Sequence, residues 1–179
     1  MKDNKIILLA CGSFEKEFLG KIALATGNEF SRTVITDECY LDLEPFYNPG
    51  RRQYDGNRLL RHLPECTGRD YDKLIGLFKV DLFIPILTFI FGQAVLNEQT
   101  AIASVFRLRN ELYGLKQDEE LLLARTTKEV IHELGHTFGL IHCHISTCVM
   151  RSSTYVEDID QKGSSLCLKC RTMLEESQK

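Results

Sequence analysis

The residues with the clearest chemical potential form the segment His132-Glu133-Leu134-Gly135-His136, which is followed by Gly139 and His142. If this segment is helical, His132 and His136 lie one turn apart and within about 40° of each other, a spacing at which two imidazoles can bind one metal ion. Gly139 permits a left-handed turn that would bring His142 up as a third nitrogen ligand. The pattern predicts a zinc site with three histidine ligands and an open fourth position.

Glu133 follows the first of these ligands but points in a different direction around the helix. A carboxylate in that place can contact a water molecule on the metal and act as a general base, as in zinc peptidases. We therefore predict that Glu133 is the catalytic residue. The simpler interpretation is a helix with two incidental histidines, and it is disfavoured because Gly139 and His142 both stand at the required offsets.

Met150 lies eight residues after His142. A methionine is usually ordinary core, but in metal peptidases with this ligand pattern a methionine turn forms an apolar floor beneath the three histidines. The position of Met150 in the chain favours the second interpretation.

Four of the seven cysteines form two close pairs, Cys143-x4-Cys148 and Cys167-x2-Cys170. Such a set could form two disulfides, an iron–sulfur cluster, a closed tetrahedral zinc site, or nothing at all. The total number of cysteines is odd, and no convincing export signal precedes them, so disulfides fit poorly. We predict a structural zinc held by all four thiolates. Because Cys143 directly follows His142, the two metal sites should be neighbours.

The elements that would position these residues follow from the hydrophobic periodicity. The apolar run Lys5–Cys11 predicts a strand buried on both faces, followed by a helix that Ser13 caps and Gly27 ends. Further strands are predicted at 33–36, 73–78, 87–94 and 101–107, and further helices at 53–63, 126–138 and 169–176. Residues 41–50 are predicted to be loop, and no helix is expected between the last two helices. This alternation indicates an α/β (α+β) fold.

Composition and charge exclude several classes of protein. A length of 179 residues suits about one domain, and 44% hydrophobic with 26% charged residues excludes collagen-like, coiled-coil and disordered chains. The net charge of −3 offers no basic face, so nucleic acid is not an expected partner. No stretch approaches the ~20 apolar residues of a membrane span. We predict a cytoplasmic monomer that does not bind membranes.

The chain from about Arg125 to Cys170 resembles the metzincin metallopeptidases, and the archaemetzincins in particular. The HExxHxxGxxH segment and the following methionine carry the first likeness, and the four paired cysteines carry the second. The spacer between the cysteine pairs is one residue shorter than in the family pattern, a difference that falls in a loop. Fainter similarity covers 51–54 and 91–92.

This resemblance implies a twisted, mostly parallel sheet with an antiparallel edge strand above a cleft. It also implies a zinc ion at the cleft floor and a small zinc-pinned C-terminal subdomain below. The strand at 87–94 would be the edge strand. We predict one domain, 1–179, with an upper subdomain (1–140) that carries the active-site helix and a lower subdomain (141–179) that carries the four cysteines.

The predicted function is zinc-dependent hydrolysis of peptide bonds in a peptide or protein substrate, with two Zn²⁺ per chain and Glu133 as general base. Two other functions remain open at this point. One is a zinc-containing protein of the same fold that binds peptides without cleaving them. The other is a redox or metal-handling protein whose cysteine cluster is the functional part.

Overall fold

A five-stranded sheet organises residues 4–177, the part of the chain that this computed structural model describes. Its strands lie in the order β2 (Thr33–Cys39), β1 (Lys5–Cys11), β5 (Lys73–Phe78), β8 (Thr100–Ser104) and β7 (Gly92–Ala94). The first four are parallel, and β7 runs antiparallel to β8 at the edge of the sheet. A small second sheet consists of β3 (Tyr47–Asn48), β4 (Gln53–Asp55) and β6 (Leu82–Phe83). The predicted mostly parallel sheet with an antiparallel edge strand is confirmed.

Strand β1 separates two halves of the core, because successive side chains of a strand point to opposite faces. Ile6 and Leu8 pack on one face together with helices α1 (Lys16–Phe30) and α3 (Glu119–Thr137). Ile7 and Leu9 pack on the other face, against helix α2 (Gly56–His62). This double burial explains why β1 is a continuous apolar run. No helix within residues 4–177 is long and apolar enough to cross a membrane.

The two long helices differ from their predicted limits. Helix α1 begins after Glu15 without a side-chain cap, so Ser13 does not cap it, and it runs past Gly27 to a left-handed residue at Ser31 (φ 53°). Helix α3 begins seven residues before the predicted start, because the Asp118 carboxylate accepts a hydrogen bond from the Leu121 N–H at 2.9 Å. Its first turns are exposed or half-buried and contain the run Leu121-Leu122-Leu123, in which no helical period is visible.

Other differences concern short elements. The predicted helix at 53–63 starts only at Gly56, because its first residues form β4, and the predicted loop at 41–50 contains β3. The predicted strand at 87–94 is a strand only at Gly92–Ala94. Helix α4 (Val156–Gln161) was not predicted, since six residues are too few to show a helical period. The last helix, α5, spans Leu168–Ser177, close to its predicted limits.

Arg125 joins α3 to two distant parts of the chain. Its guanidinium donates to both carboxylate oxygens of Asp160 in α4, at 2.7 and 2.6 Å, and to the Leu108 carbonyl and the Asn110 side chain, each at 2.8 Å. Only 5% of the Arg125 side chain is exposed. The planar guanidinium suits this bidentate contact better than a lysine would. The place of α4 against the long helix therefore depends on Arg125.

We expect Arg125→Met to lower the free energy of unfolding by about 2–4 kcal/mol, because it leaves the buried Leu108 carbonyl unpaired and removes the bidentate contact with Asp160. The control is Arg69→Met, which removes an ion pair with Asp37 in which the side chains are 55% and 31% exposed. That change should cost less than about 1 kcal/mol. Urea unfolding of both variants at equal zinc content measures the difference, and equal losses would contradict the role given to Arg125.

Candidate metal centres and active site

The structure brings the three predicted histidine ligands together at the C-terminal end of α3. The Nε2 atoms of His132 and His136 are 3.1 Å apart, and the His142 ring centroid lies 5.4 and 5.0 Å from the centroids of those two rings. One ligand atom from each of the three residues lies within 4.8 Å of the others. His142 reaches this place because Gly139, at φ 87°, ends the helix and reverses the chain.

Backbone carbonyls orient the two helical imidazoles. His132 Nδ1 bonds the Val149 carbonyl at 2.8 Å, and His136 Nδ1 bonds the Leu140 carbonyl at 2.7 Å. A carbonyl only accepts hydrogen bonds, so each Nδ1 carries the proton and each Nε2 presents a lone pair. Burial also lowers the pKa of His132 well below its usual value, which keeps the ring neutral. Neutral imidazoles are the form that binds a metal.

Two facing lone pairs at this distance need a cation between them. A tetrahedral zinc with Zn–N bonds of 2.0–2.1 Å separates two ligand nitrogens by about 3.3 Å. The observed 3.1 Å between the Nε2 atoms is close to that value. The residues present therefore fit the zinc ion that the sequence pattern predicts.

Glu133 lies against the edge strand. Its side chain is buried, and burial raises the pKa of its carboxyl well above the usual value, with a further rise from the nearby Glu129 carboxylate. A Cβ atom at Gly92 would lie 2.6 Å from the Glu133 Cγ atom and 2.7 Å from the Ile102 carbonyl oxygen. Only glycine therefore allows β7 to approach the active-site helix this closely.

The histidines and Glu133 line one cleft of about 270 Å³. Strand β7 and residues shortly before it also line this cleft, as do Ser152 and Ser153. An extended chain in this cleft would lie beside the edge strand and next to the three histidines.

Met150 lies beneath the active-site helix and is fully buried. A Cβ atom at Gly135 would come within 2.4 Å of the Met150 Sδ atom, so the helix and the methionine are in direct contact. The Cys143 N–H donates to the Met150 carbonyl at 3.0 Å, which ties this turn to the segment that carries the third histidine. Met150 therefore packs against the active-site helix, and its role as an apolar floor beneath the three histidines stays a prediction.

The four paired cysteines also meet, directly behind His142. The Sγ atoms are 3.8 Å apart between Cys143 and Cys167 and between Cys148 and Cys170, and all four lie within 4.8 Å of one another. The thiols are free, at distances far beyond the ~2.05 Å of a disulfide. A tetrahedron with Zn–S bonds of 2.3 Å has edges of about 3.8 Å, so the set fits a closed zinc site.

Two residues at this site escaped the sequence analysis. The Lys162 ammonium lies 3.0 Å from the Glu129 carboxylate and 3.5 Å from His132 Nδ1, and Glu129 lines the cleft. Glu129 stands four residues before Glu133 and therefore shares its helix face, a signal that the sequence does contain. Lys162 carries no such signal, because it follows the helix α4 that was not predicted.

Known proteins resemble this chain over nearly its whole length. The sequence model of peptidase family M54 matches residues 31–176. The archaemetzincin of Saccharolobus solfataricus is 34% identical over 184 residues, which cover 100% of this chain and 97% of the relative. The archaemetzincin of Methanocaldococcus jannaschii is 39% identical over 172 residues, with 96% and 93% covered.

Solved structures agree with these sequence matches. The archaemetzincin of Methanopyrus kandleri superimposes with a TM-score of 0.86 at 32% identity, covering 99% of this chain and 96% of that one. A zinc-dependent peptidase of Methanocorpusculum labreanum gives 0.83 at 29% identity, with 94% and 99% covered. The site geometry and these matches lead to one conclusion: the chain belongs to the archaemetzincins, peptidase family M54, and is a zinc metallopeptidase.

Proposed function

We propose that the chain hydrolyses peptide bonds in the cleft beneath β7, with zinc held by His132, His136 and His142 and with Glu133 as general base. The observation that carries this proposal is the pair of Nε2 atoms 3.1 Å apart, with the buried Glu133 carboxyl lining the same cleft. A metal-binding protein without peptidase chemistry has no need of a buried carboxyl next to its ligands.

Zinc bound there supplies a Lewis acid that activates water and polarises the scissile carbonyl. Glu133 takes the proton from the attacking water and delivers it to the leaving amine, so no covalent link to the protein forms. Since Glu133 is not one of the metal-binding residues, its carboxylate is free for both transfers. Gly92 and the edge strand confine the carboxylate to the position from which it acts.

The substrate backbone is proposed to pair with β7. This strand bonds β8 on one side and lines the cleft on the other, as an edge strand that can accept an added strand. Main-chain pairing of this kind would bind an extended segment of many sequences.

We further propose two zinc ions per chain, the second held by Cys143, Cys148, Cys167 and Cys170 in a structural role. The proposed division places 1–140 in an upper subdomain and 141–179 in a lower one, within one domain. The single domain is supported by a shared apolar cluster, in which Cys148, Cys170 and Leu174 pack together with Ile6 of β1. Free cysteines also suit a reducing compartment, so we place the protein in the cytoplasm, as a monomer acting on peptides.

We expect Glu133→Gln to lower peptide hydrolysis by about 10²–10⁴-fold, because the general base is lost. Both zinc ions should remain, since the side chain is not a ligand. Glu65→Gln, at an exposed carboxylate, is the matched control and should leave the rate unchanged. The measurement is cleavage of a peptide library together with elemental analysis. A parent protein that shows no metal-dependent cleavage between about pH 5 and 9 would favour the non-cleaving peptide binder instead.

Cys167→Ser should reduce the zinc content from two ions per chain to one and lower the stability, because binding of a structural metal is part of folding. Cys66→Ser is the control, since that thiol lies outside the group of four. Elemental analysis and thermal unfolding measure both effects. Iron with sulfide in the parent protein, or disulfides in mass spectra without reductant, would contradict the four-thiolate site.

Gly92→Ala should slow hydrolysis by about 10-fold or more while both zinc ions remain, because the new methyl group collides with Glu133. Gly68→Ala provides the control, since a Cβ there meets no atom within 4 Å. Steady-state kinetics of the two variants test this expectation, and equal rates would show that contact with β7 does not position the carboxylate.

A further inference from the structure

We propose that Lys162 is a positioning residue for the catalytic metal site. It holds the segment 149–151 in place, so that the Val149 carbonyl of this segment orients the His132 ring. The inference rests on the proposed zinc site at the three histidines. It concerns a residue that binds neither metal nor substrate and acts through the backbone beside it.

The burial of Lys162 requires an explanation. Its side chain is 0% exposed, although lysine is almost never fully buried unless it is paired. The ammonium lies 3.0 Å from Glu129 Oε1, in an ion pair that is not aligned as a hydrogen bond, and it donates to the Arg151 carbonyl at 3.2 Å. Removing a charge from water is costly, so these partners must together offset its desolvation.

The contacts of Lys162 converge on the segment that orients His132. His132 Nδ1 bonds the Val149 carbonyl, and Lys162 bonds the Arg151 carbonyl two residues further along. The fully buried Met150 lies between these two carbonyls, under the active-site helix. The ammonium is also 3.5 Å from His132 Nδ1 itself. Lys162 thus stands beside both the ligand and the backbone group that sets the direction of its ring.

Glu129 has a different part in this arrangement, since it supplies the charge that makes a buried ammonium tolerable. It lies one helical turn before Glu133, and both carboxylates line the cleft. The contact of Glu129 with Lys162 leaves Glu133 as the carboxylate available for chemistry.

The competing explanation is that Lys162 merely braces α3 against α4. Lys128 provides such a brace elsewhere, because its ammonium on α3 donates to the Ile159 carbonyl at 2.8 Å and to the Asp160 carbonyl at 3.4 Å. Neither lysine lines the cleft itself. Two lysines therefore connect the same pair of helices, and one of them also contacts a metal-site residue. This difference offers a matched control.

The experiment compares Lys162→Met, Lys128→Met and the double variant Glu129→Gln/Lys162→Met, each as the full chain with the four-cysteine zinc retained. Chelator competition gives the Kd for zinc at the three histidines, and the absorption spectrum with Co²⁺ in that site reports the ligand geometry. We expect Lys162→Met to raise this Kd by about 10–100-fold and to alter the Co²⁺ spectrum, as loss of an outer partner of a metal ligand does. Lys128→Met should lose stability while both readouts stay as in the parent.

The double variant removes both buried charges, so it keeps the comparison available if Lys162→Met does not fold. It should regain stability but retain the weakened zinc binding and altered spectrum. Parent-like values in either variant that lacks Lys162, or equal changes in Lys128→Met, would overturn the positioning role. A parent protein that binds no metal at the histidines would overturn the proposed function itself, and this inference with it.

Discussion

The rest of this structure depends on the close approach of two imidazoles at the end of a buried helix. The Nε2 atoms of His132 and His136 are 3.1 Å apart, with their lone pairs facing each other. Without a cation the arrangement is unfavourable, since both Nδ1 atoms are committed to carbonyls and the lone pairs of both Nε2 atoms face each other. For a zinc ion, the same arrangement is a preorganised binding site. The surrounding backbone therefore has to hold the two rings in place, and much of the local sequence serves that purpose.

Three glycines show how tightly the backbone is packed around the histidines. Gly139 reverses the chain at a φ of 87°, Gly135 makes room for the Met150 sulfur, and Gly92 lets the edge strand reach Glu133. A side chain at any of these positions would displace His142, Met150 or Glu133. The edge strand and the Met150 turn therefore approach the active-site helix so closely that there is no room for a Cβ atom at Gly92 or Gly135.

The two candidate metal sites are joined by a single peptide bond, that between His142 and Cys143. The cysteine cluster shares the main apolar core through Cys148 and Cys170, so a metal in the cluster would hold the chain on both sides of the Met150 turn. The segment that carries His142 therefore continues directly into the cysteine cluster. A change in the position of the Cys143 side chain would therefore shift His142, the residue next to it.

By itself, the sequence determined the features that depend on residues close together in the chain. The geometry of a helical turn places His132 beside His136, and the spacing inside each cysteine pair suits two ligands of one metal ion. The double-sided burial of β1 is likewise visible in its residues. These features could be predicted because each depends on neighbours within about ten positions.

Only the tertiary structure decided which distant groups meet. The edge strand is limited to Gly92–Ala94 because Ile90, just before it, bonds Leu82 instead of β8, and α4 became a helix through its contacts with Phe91 and Leu108. Lys162 lies 33 positions from Glu129, and Arg125 lies 35 from Asp160, so no local pattern could have indicated that either pair would meet. The physical reason is that a buried charge is stable only beside its partner, and the fold alone determines which residues become partners.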